Sequence, residues 1–254
     1  MKKYILIIII AAFSAACGQE NKFGESMNNI RKPAVAGMFY PGDKRTLEKE
    51  INSYINEAET EEISGNIFGI VAPHAGYVYS GPVAGYAYKL IKGKKYETVV
   101  VISPSHQEFF RGCSVFDGDA YETPLGQIKV DKETAKSIAN KVENIYLSSK
   151  GHHIKGMGEH SLEVQLPFLQ VALGKFEVVP IVIGDQSEEN CSALGMVLAE
   201  ALKDKNALIV ASSDLSHYHS YDEARKIDSR AVDCFEKGDL KGILDCEACG
   251  SGPI

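Results

Sequence analysis

Three runs of Val- and Ile-rich chain each end on a titratable side chain, and this repetition constrains the fold more than any other feature of the 254-residue sequence. They are Gly69-Ile70-Val71-Ala72-Pro73-His74, Val99-Val100-Val101-Ile102-Ser103-Pro104-Ser105-His106 and Leu208-Ile209-Val210-Ala211-Ser212-Ser213-Asp214-Leu215-Ser216-His217. Short continuous β-branched runs bounded by Pro, Ser and Gly read as strands buried on both faces, the kind found in parallel sheets under helices. Open α/β sheets bind their ligands in the crevice beyond the carboxyl ends of the strands. The three polar termini are therefore expected to converge on one place. Imidazole is the commonest metal ligand and the usual general base near neutral pH, so a metal or acid/base site is the first expectation.

The remaining chain alternates in the same way. Leu47, Ile51, Tyr54 and Ile55 lie at helical spacing within 46–58, and Gly81-Pro82 is placed to open a helix over 83–91. A short strand is expected at 127–130, and Asp131 stands as the cap of a helix reaching 142. Residues 159–171 carry a helical pattern that Pro167 either kinks or divides. Another buried strand follows at 176–183, then helices at 188–202 and 221–235. With no internal repeat or domain break, the pattern predicts an α/β fold, a single-domain layered sandwich with a largely parallel central sheet flanked by helices.

The amino terminus has a different character. Lys2-Lys3 precede an apolar stretch over 4–13 and then Ser14-Ala15-Ala16-Cys17. The stretch is shorter than the roughly 20 apolar residues of a membrane span. Its order matches a secretory signal of the lipoprotein type over 1–16, with Cys17 as the lipidated first residue of the mature chain. Residues 17–30 then form a polar tether, and 31–254 the folded domain. This reading places the protein on a bacterial membrane, facing the periplasm or the exterior, with contact to the bilayer through its lipid only. Translation from Met27 instead gives a cytoplasmic protein. A formal charge of −7 with no clustered basic stretch gives no footprint for a nucleic-acid partner.

Among the candidate chemical groups, His74 sits where flanking Pro73 and Gly76 fix a tight loop, which suits a ligand. A strand-end histidine such as His106 serves equally as a helix cap or a backbone hydrogen-bond donor. Asp214 and His217 are three apart, close enough for the carboxylate to orient the imidazole directly or across a bound substrate, while Asp214 as a simple turn cap is the plainer alternative. His152 and His153 lie in a polar loop between Lys150 and Lys155 and read as solvent-facing. His160 reads as a helix-start residue or as a group supporting a site from behind. Cys113, Cys191, Cys234, Cys246 and Cys249 are irregularly spaced and form no disulfide framework. Only Cys246-Glu247-Ala248-Cys249 has motif spacing, and Cys249 stays open as a buried thiol, half of a disulfide with Cys246, or a thiolate ligand. There is no Gly-x-Ser-x-Gly elbow and no phosphate-cradling Gly-Lys-Ser/Thr loop.

Six segments occur in an order that resembles the Memo family. They are Gly37-Met38-Phe39-Tyr40-Pro41, Ala72-Pro73-His74-Ala75-Gly76-Tyr77-Val78-Tyr79-Ser80-Gly81, Ser103-Pro104-Ser105-His106, Glu159-His160-Ser161-Leu162-Glu163, Ser212-Ser213-Asp214-Leu215-Ser216-His217 and Cys249-Gly250-x-x-Pro253-Ile254. Bacterial and archaeal members are often called AmmeMemoRadiSam system protein B, and the family is similar to the LigB-type extradiol dioxygenases. The resemblance implies a non-haem iron or copper ion, or zinc, held by His74, His106 and Cys249, with Asp214 and His217 as catalytic pocket residues. It implies oxidoreductase-like chemistry or, alternatively, a non-catalytic pocket for a peptide or anion. Tyr79 and Phe39 match substrate-binding aromatics, Phe39 standing where eukaryotic members have Trp. The expected ligand is a small molecule or peptide, and the expected protein partners are radical-SAM and AmmeMemo-type proteins. The family pattern also continues past Pro253-Ile254, and an oxidising location would let Cys246 and Cys249 pair and remove the thiolate.

Overall fold

The computed structural model describes residues 29–153 and 158–254. The leader, Cys17 and most of the tether lie outside the described residues. Among those described, no helix is long and apolar enough to cross a membrane.

Nine strands and seven helices alternate along the described chain. The first strand, β1 (Ile30–Arg31), begins one residue before the expected domain boundary, and Asn29 N–H donates to Asp119 Oδ2 at 2.9 Å. There follow α1 (Lys44–Glu57), β2 (Gly69–Ala72), α2 (Tyr77–Ile91), β3 (Thr98–Pro104) and β4 (Cys113–Val115). The middle of the chain gives β5 (Ala120–Thr123), β6 (Gly126–Lys129), α3 (Lys132–Ala139), β7 (Ile145–Leu147) and α4 (Gln165–Leu173). The last part gives β8 (Glu177–Ile183), α5 (Glu188–Ala201), β9 (Ala207–Ser212), α6 (Tyr221–Lys237) and α7 (Leu240–Leu244).

Six strands form the central sheet in the order β2-β9-β3-β8-β4-β7, and β1-β5-β6 form a smaller one. All neighbours in the central sheet are parallel except β8 and β4. The fold is thus a mixed α/β domain with a central sheet flanked by helices. β3 is buried at every position and β8 at all but Glu177, as continuous β-branched runs require. β2 departs from that expectation, with Ile70 and Ala72 buried but Gly69 and Val71 exposed. It is an edge strand, and its alternating burial leaves one face open.

Two proline positions correct the sequence reading. α2 starts at Tyr77, not at Val83, and runs through Gly81 and Pro82. Tertiary contacts hold the early turn: the Tyr77 N–H donates to Phe39 O at 2.7 Å and its hydroxyl to Val164 O at 2.7 Å. A Cβ on Gly81 would stand 2.4 Å from the Tyr54 ring, and one on Gly85 2.5 Å from Tyr54 O, so the bare glycines let α1 and α2 lie against each other. In α4, Pro167 falls in the first turn, where its missing N–H has no helical partner to lose.

A buried ion pair ties the small sheet to the loop before α4. Arg31 is 2% exposed and Glu163 0%. The guanidinium donates to the Glu163 carboxylate, to Glu159 O at 2.7 Å and to His152 O at 3.2 Å. Glu163 also accepts from Ala34 N, Val35 N and the Tyr40 hydroxyl. His152, expected to face solvent, is 1% exposed instead. Its Nε2–H donates to Ser114 O at 3.1 Å, which leaves Nδ1 to accept from the Tyr121 hydroxyl at 2.5 Å. Both nitrogens being satisfied explains how a loop histidine can enter the core. His153 is exposed, as the loop composition suggests.

Removing one partner of the Arg31–Glu163 pair strands a buried charge, so Arg31→Ala or Glu163→Ala should each lose about 3–5 kcal/mol in denaturant unfolding. Loss of less than about 1 kcal/mol from both, a surface-pair value, would show that the pair does not hold the fold together. Burial pushes the His152 pKa down to about 3. The unfolded chain therefore binds a proton that the folded chain refuses between the ordinary histidine value, about 6.5, and about 3, and stability falls as pH drops through that window. His152→Gln should flatten the slope of unfolding free energy against pH there by about 1.4 kcal/mol per pH unit.

Candidate metal centre

β2, β9 and β3 are adjacent and parallel, so the residues that follow Ala72, Ser212 and Pro104 meet at one end of the sheet. His74 is 1% exposed. Its backbone N–H donates to Asp214 Oδ1 at 2.6 Å, and the Ala75 N–H to the same oxygen at 3.2 Å, so Asp214 caps the turn into α2. The ring Nδ1 lies 2.9 Å from Ser212 Oγ. That hydroxyl donates to Ser161 O at 2.6 Å and accepts from Gln165 Nε2 at 2.7 Å, leaving only a lone pair for the imidazole. Nδ1 therefore carries the proton, and the Nε2 lone pair faces the pocket. Cys249 Sγ stands 3.0 Å from that Nε2. Burial, outweighing the pull of Asp214, lowers the His74 pKa to about 4, so the ring is neutral and its lone pair is available.

His106 is fixed by a different partner of the same kind. Its Nδ1–H donates to Glu159 Oε1 at 2.9 Å and its backbone N–H to Oε2 at 2.5 Å. Ser161 N–H adds a third bond to Oε1 at 3.0 Å. Burial works to raise the pKa of Glu159, yet the charge and hydrogen bond of His106 and the two backbone donors bring it to about 2. Burial likewise works to lower His106, but hydrogen bonds to Cys249 and Glu159 and their charges lift it to about 10. A carboxylate on Nδ1 fixes ring orientation and leaves Nε2 for the pocket, the arrangement of carboxylate-oriented metal histidines. His160 stacks on His106 with ring centroids 4.7 Å apart and meets His74 edge-on at 5.6 Å.

Cys249 reaches the pocket from the turn after α7. Its N–H donates to Asp214 O at 3.2 Å, and the Asp214 N–H donates to its sulfur at 3.3 Å. Gln186 brackets the turn, donating to Cys249 O at 2.9 Å and accepting from Gly252 N at 2.9 Å. A Cβ on Gly250 would lie 2.4 Å from Ser212 O, so only glycine lets this turn sit on the end of β9. One ligand atom from each of His74, His106 and Cys249 lies within 4.8 Å of the others, and the same holds for His106, Glu159 and His160 and for Asp214, His217 and Cys249. These groupings make the sheet end a site that could hold a metal ion. At its mouth, His217 Nε2 is 3.7 Å from Asp214 Oδ2 and its side chain is 41% exposed. Phe39 packs on His160 with centroids 4.7 Å apart, whereas Tyr79 is 81% exposed on the first turn of α2.

The family model described as "Memo-like protein" matches residues 31–251. The chain belongs to the Memo family. It is 40% identical over 236 residues to a "MEMO1 family protein" of Nitrosopumilus maritimus, covering 89% of this chain and 84% of that one. A "MEMO1 family protein" of Aquifex aeolicus is 41% identical over 209 residues, covering 82% of this chain and 75% of the relative. One of Methanosarcina acetivorans is 37% identical over 234 residues, covering 89% and 84%.

Family membership agrees with the six ordered segments, and the geometry adds residues that the sequence reading did not single out. Glu159, Ser161, Gln165, Ser212 and Gln186 hold the ring nitrogens and the Cys249 turn. Glu159 was visible only as part of a motif, and Gln165 resembles any polar residue opening a helix. Because the obstruction at Gly250 is backbone, Gly250→Ala should push the Cys249 turn off β9. Alkylation mapped by mass spectrometry should then show Cys249 reacting several times faster than in the parent protein, with Cys113, buried in the core, unchanged. An unchanged Cys249 rate would show that the turn does not depend on this contact.

Proposed function

We propose that this Memo-family chain is an oxidoreductase-like metalloprotein in which His74 Nε2, His106 Nε2 and Cys249 Sγ hold one iron or copper ion. The observation that carries the proposal is the tethering of both imidazoles through Nδ1, by Ser212 and by Glu159, with the Cys249 sulfur 3.0 Å from one free Nε2. Nitrogen and sulfur atoms about 2.0–2.3 Å from one ion stand roughly 3–4 Å apart, so the donor set suits an ion without large rearrangement. Two imidazoles with one thiolate favour copper(I), zinc or an iron tuned differently from that of a carboxylate site. When bound, iron or copper would supply one-electron redox chemistry.

The chain's own groups define what happens beside that ion. Asp214 Oδ1 is committed to two backbone N–H groups, so Asp214 holds the His74 loop and presents Oδ2 to the pocket, 4.0 Å from His74 Nε2 and 3.7 Å from His217 Nε2. His217 bridges that carboxylate and solvent, which suits it to take a proton from a small polar substrate and release it to water. Phe39 and His160 wall the apolar side. The family resemblance makes radical-SAM and AmmeMemo-type proteins the partners to seek by co-purification.

Anaerobically purified protein should carry about one equivalent of iron or copper, and His74→Ala or Cys249→Ser should carry none. Ser212→Ala and Glu159→Gln, which touch no metal directly, should weaken metal binding by about 10–100-fold. Parent protein without stoichiometric metal would remove the proposal. Oxygen consumption with a reductant or a catechol-type substrate tests catalysis, and His217→Ala should lower turnover while keeping the metal. Retained metal with no turnover on any such substrate would move the reading to a non-catalytic pocket for a peptide or anion.

A further inference from the structure

Cys246 and Cys249 have the spacing of a redox motif, but their sulfurs point to different places. Cys249 Sγ faces His74 and the Asp214 backbone, as described above. Cys246 S–H donates instead to Gly242 O at 2.9 Å, and the nearby thiol of Cys234 on α6 adds to burial in raising its pKa. Gly242, in α7, is pressed against that second sulfur, since a Cβ there would lie 2.6 Å from Cys234 Sγ. Both sulfurs thus meet at one glycine, and neither has a part in the candidate metal centre. Cys234 and Cys246 are also both partly exposed, within reach of small solutes, whereas Cys113 is buried.

We propose that Cys234 and Cys246 are a redox modification site, which a small disulfide such as glutathione disulfide converts to an intramolecular disulfide, sparing Cys249. The chemistry balances without a further reactant. The thiolate of one cysteine attacks the glutathione disulfide, forming a mixed disulfide and releasing one glutathione thiolate, which takes up a proton. The thiolate of the second cysteine then attacks the protein sulfur of the mixed disulfide and expels the second glutathione. Two protein thiols lose two electrons and two protons, and one glutathione disulfide becomes two glutathione thiols. The cross-link joins α6 to the segment just ahead of Cys249 through a contact that already exists. It also consumes the thiol nearest in sequence that could attack Cys249. In an oxidising compartment, the C-x-x-C spacing would then be no threat to the third ligand.

The test uses the full chain loaded with Zn2+, a redox-inert probe, treated with glutathione disulfide, alkylated and mapped by mass spectrometry. A Cys234–Cys246 cross-link with Cys249 free of any disulfide is expected. A dominant Cys246–Cys249 cross-link, or no cross-link at Cys234, would overturn the proposal. In Cys234→Ser, oxidation should instead place Cys246 in disulfide with Cys249, weakening Zn2+ binding by roughly tenfold or more. Oxidised parent protein and oxidised Cys246→Ser should bind Zn2+ as their reduced forms do. Loss of Zn2+ from the oxidised parent despite a Cys234–Cys246 link would defeat the sparing role. The metal arm rests on the proposed centre, but the map does not: a chain that takes no metal yet forms the Cys234–Cys246 link removes the metal reading alone.

Discussion

The ion pair between Arg31 and Glu163 sits beneath everything at the carboxyl end of the sheet. Both groups are out of water, and Glu163 accepts four donors: Arg31, Ala34 N, Val35 N and the Tyr40 hydroxyl. That fills the capacity of a carboxylate, which is the condition under which a buried charge is tolerated. Its structural consequence is local. The segment from Glu159 to Gln165 is clamped to the first strand of the fold, and this segment supplies the Glu159 carboxylate for His106, the Ser161 carbonyl for Ser212 and the Gln165 amide for the same hydroxyl. The bonds that orient both imidazoles thus start from this one clamped segment.

Two orienting devices of unequal charge follow from that clamp. His106 is held by an anion, which pulls its pKa up, while His74 is held by a hydroxyl in a dry place, where burial pulls its pKa down. Both nevertheless present Nε2 to the same point, because each Nδ1 is committed elsewhere. The Ser212 hydroxyl accomplishes this with three bonds of fixed sense, and no tautomer of His74 other than the Nδ1–H form satisfies all of them. Positioning of this kind separates a histidine with a nitrogen left for the pocket from one that merely fills the core. His152 shows the contrast, since its two nitrogens are both consumed by Tyr121 and Ser114 and nothing is left to bind.

The strand ends were legible because parallel order and side-chain chemistry coincide there. β2, β9 and β3 are neighbours, so His74, Asp214 and His106 had to come together once the Val/Ile runs were recognised as strands of one sheet. Cys249 was not legible on those grounds: it comes from a turn after a five-residue helix, its C-x-x-C spacing left it open between thiol, disulfide and ligand, and the ordered family segments pointed to the last. The orienting groups were hidden for another reason. Glu, Gln and Ser near a helix start are ordinary surface choices, and what makes Glu159 and Gln165 special is burial together with bonds to residues 47 or more positions away, His106 for the one and Ser212, Tyr88 and Ala72 for the other. His152 misled because loop composition reports average exposure and says nothing about which loop residue folds back onto an aromatic pair. Pro82 misled because Tyr77 is anchored by Phe39 and Val164, a tertiary constraint that overrides the local preference for starting a helix at proline.

The place of Asp214 sharpens what kind of pocket this is. With Asp214 Oδ1 fastened to the His74 loop, the carboxylate cannot turn both oxygens toward one point, and the sulfur of Cys249 lies closer to His74 Nε2 than Oδ2 does, 3.0 Å against 4.0 Å. The soft donor and the hard one therefore have different nearest neighbours. Sulfur faces the two imidazoles on the buried side, and the remaining carboxylate oxygen faces His217 on the exposed side. A site divided in this way has a soft, electron-rich floor that suits a polarizable cation and an acceptor at its mouth that suits an exchangeable proton. A backbone bond from Cys249 N–H to Asp214 O and a bond from Asp214 N–H to the Cys249 sulfur tie the two halves together. Anything bound at this end of the sheet would meet both chemistries within the same few ångströms.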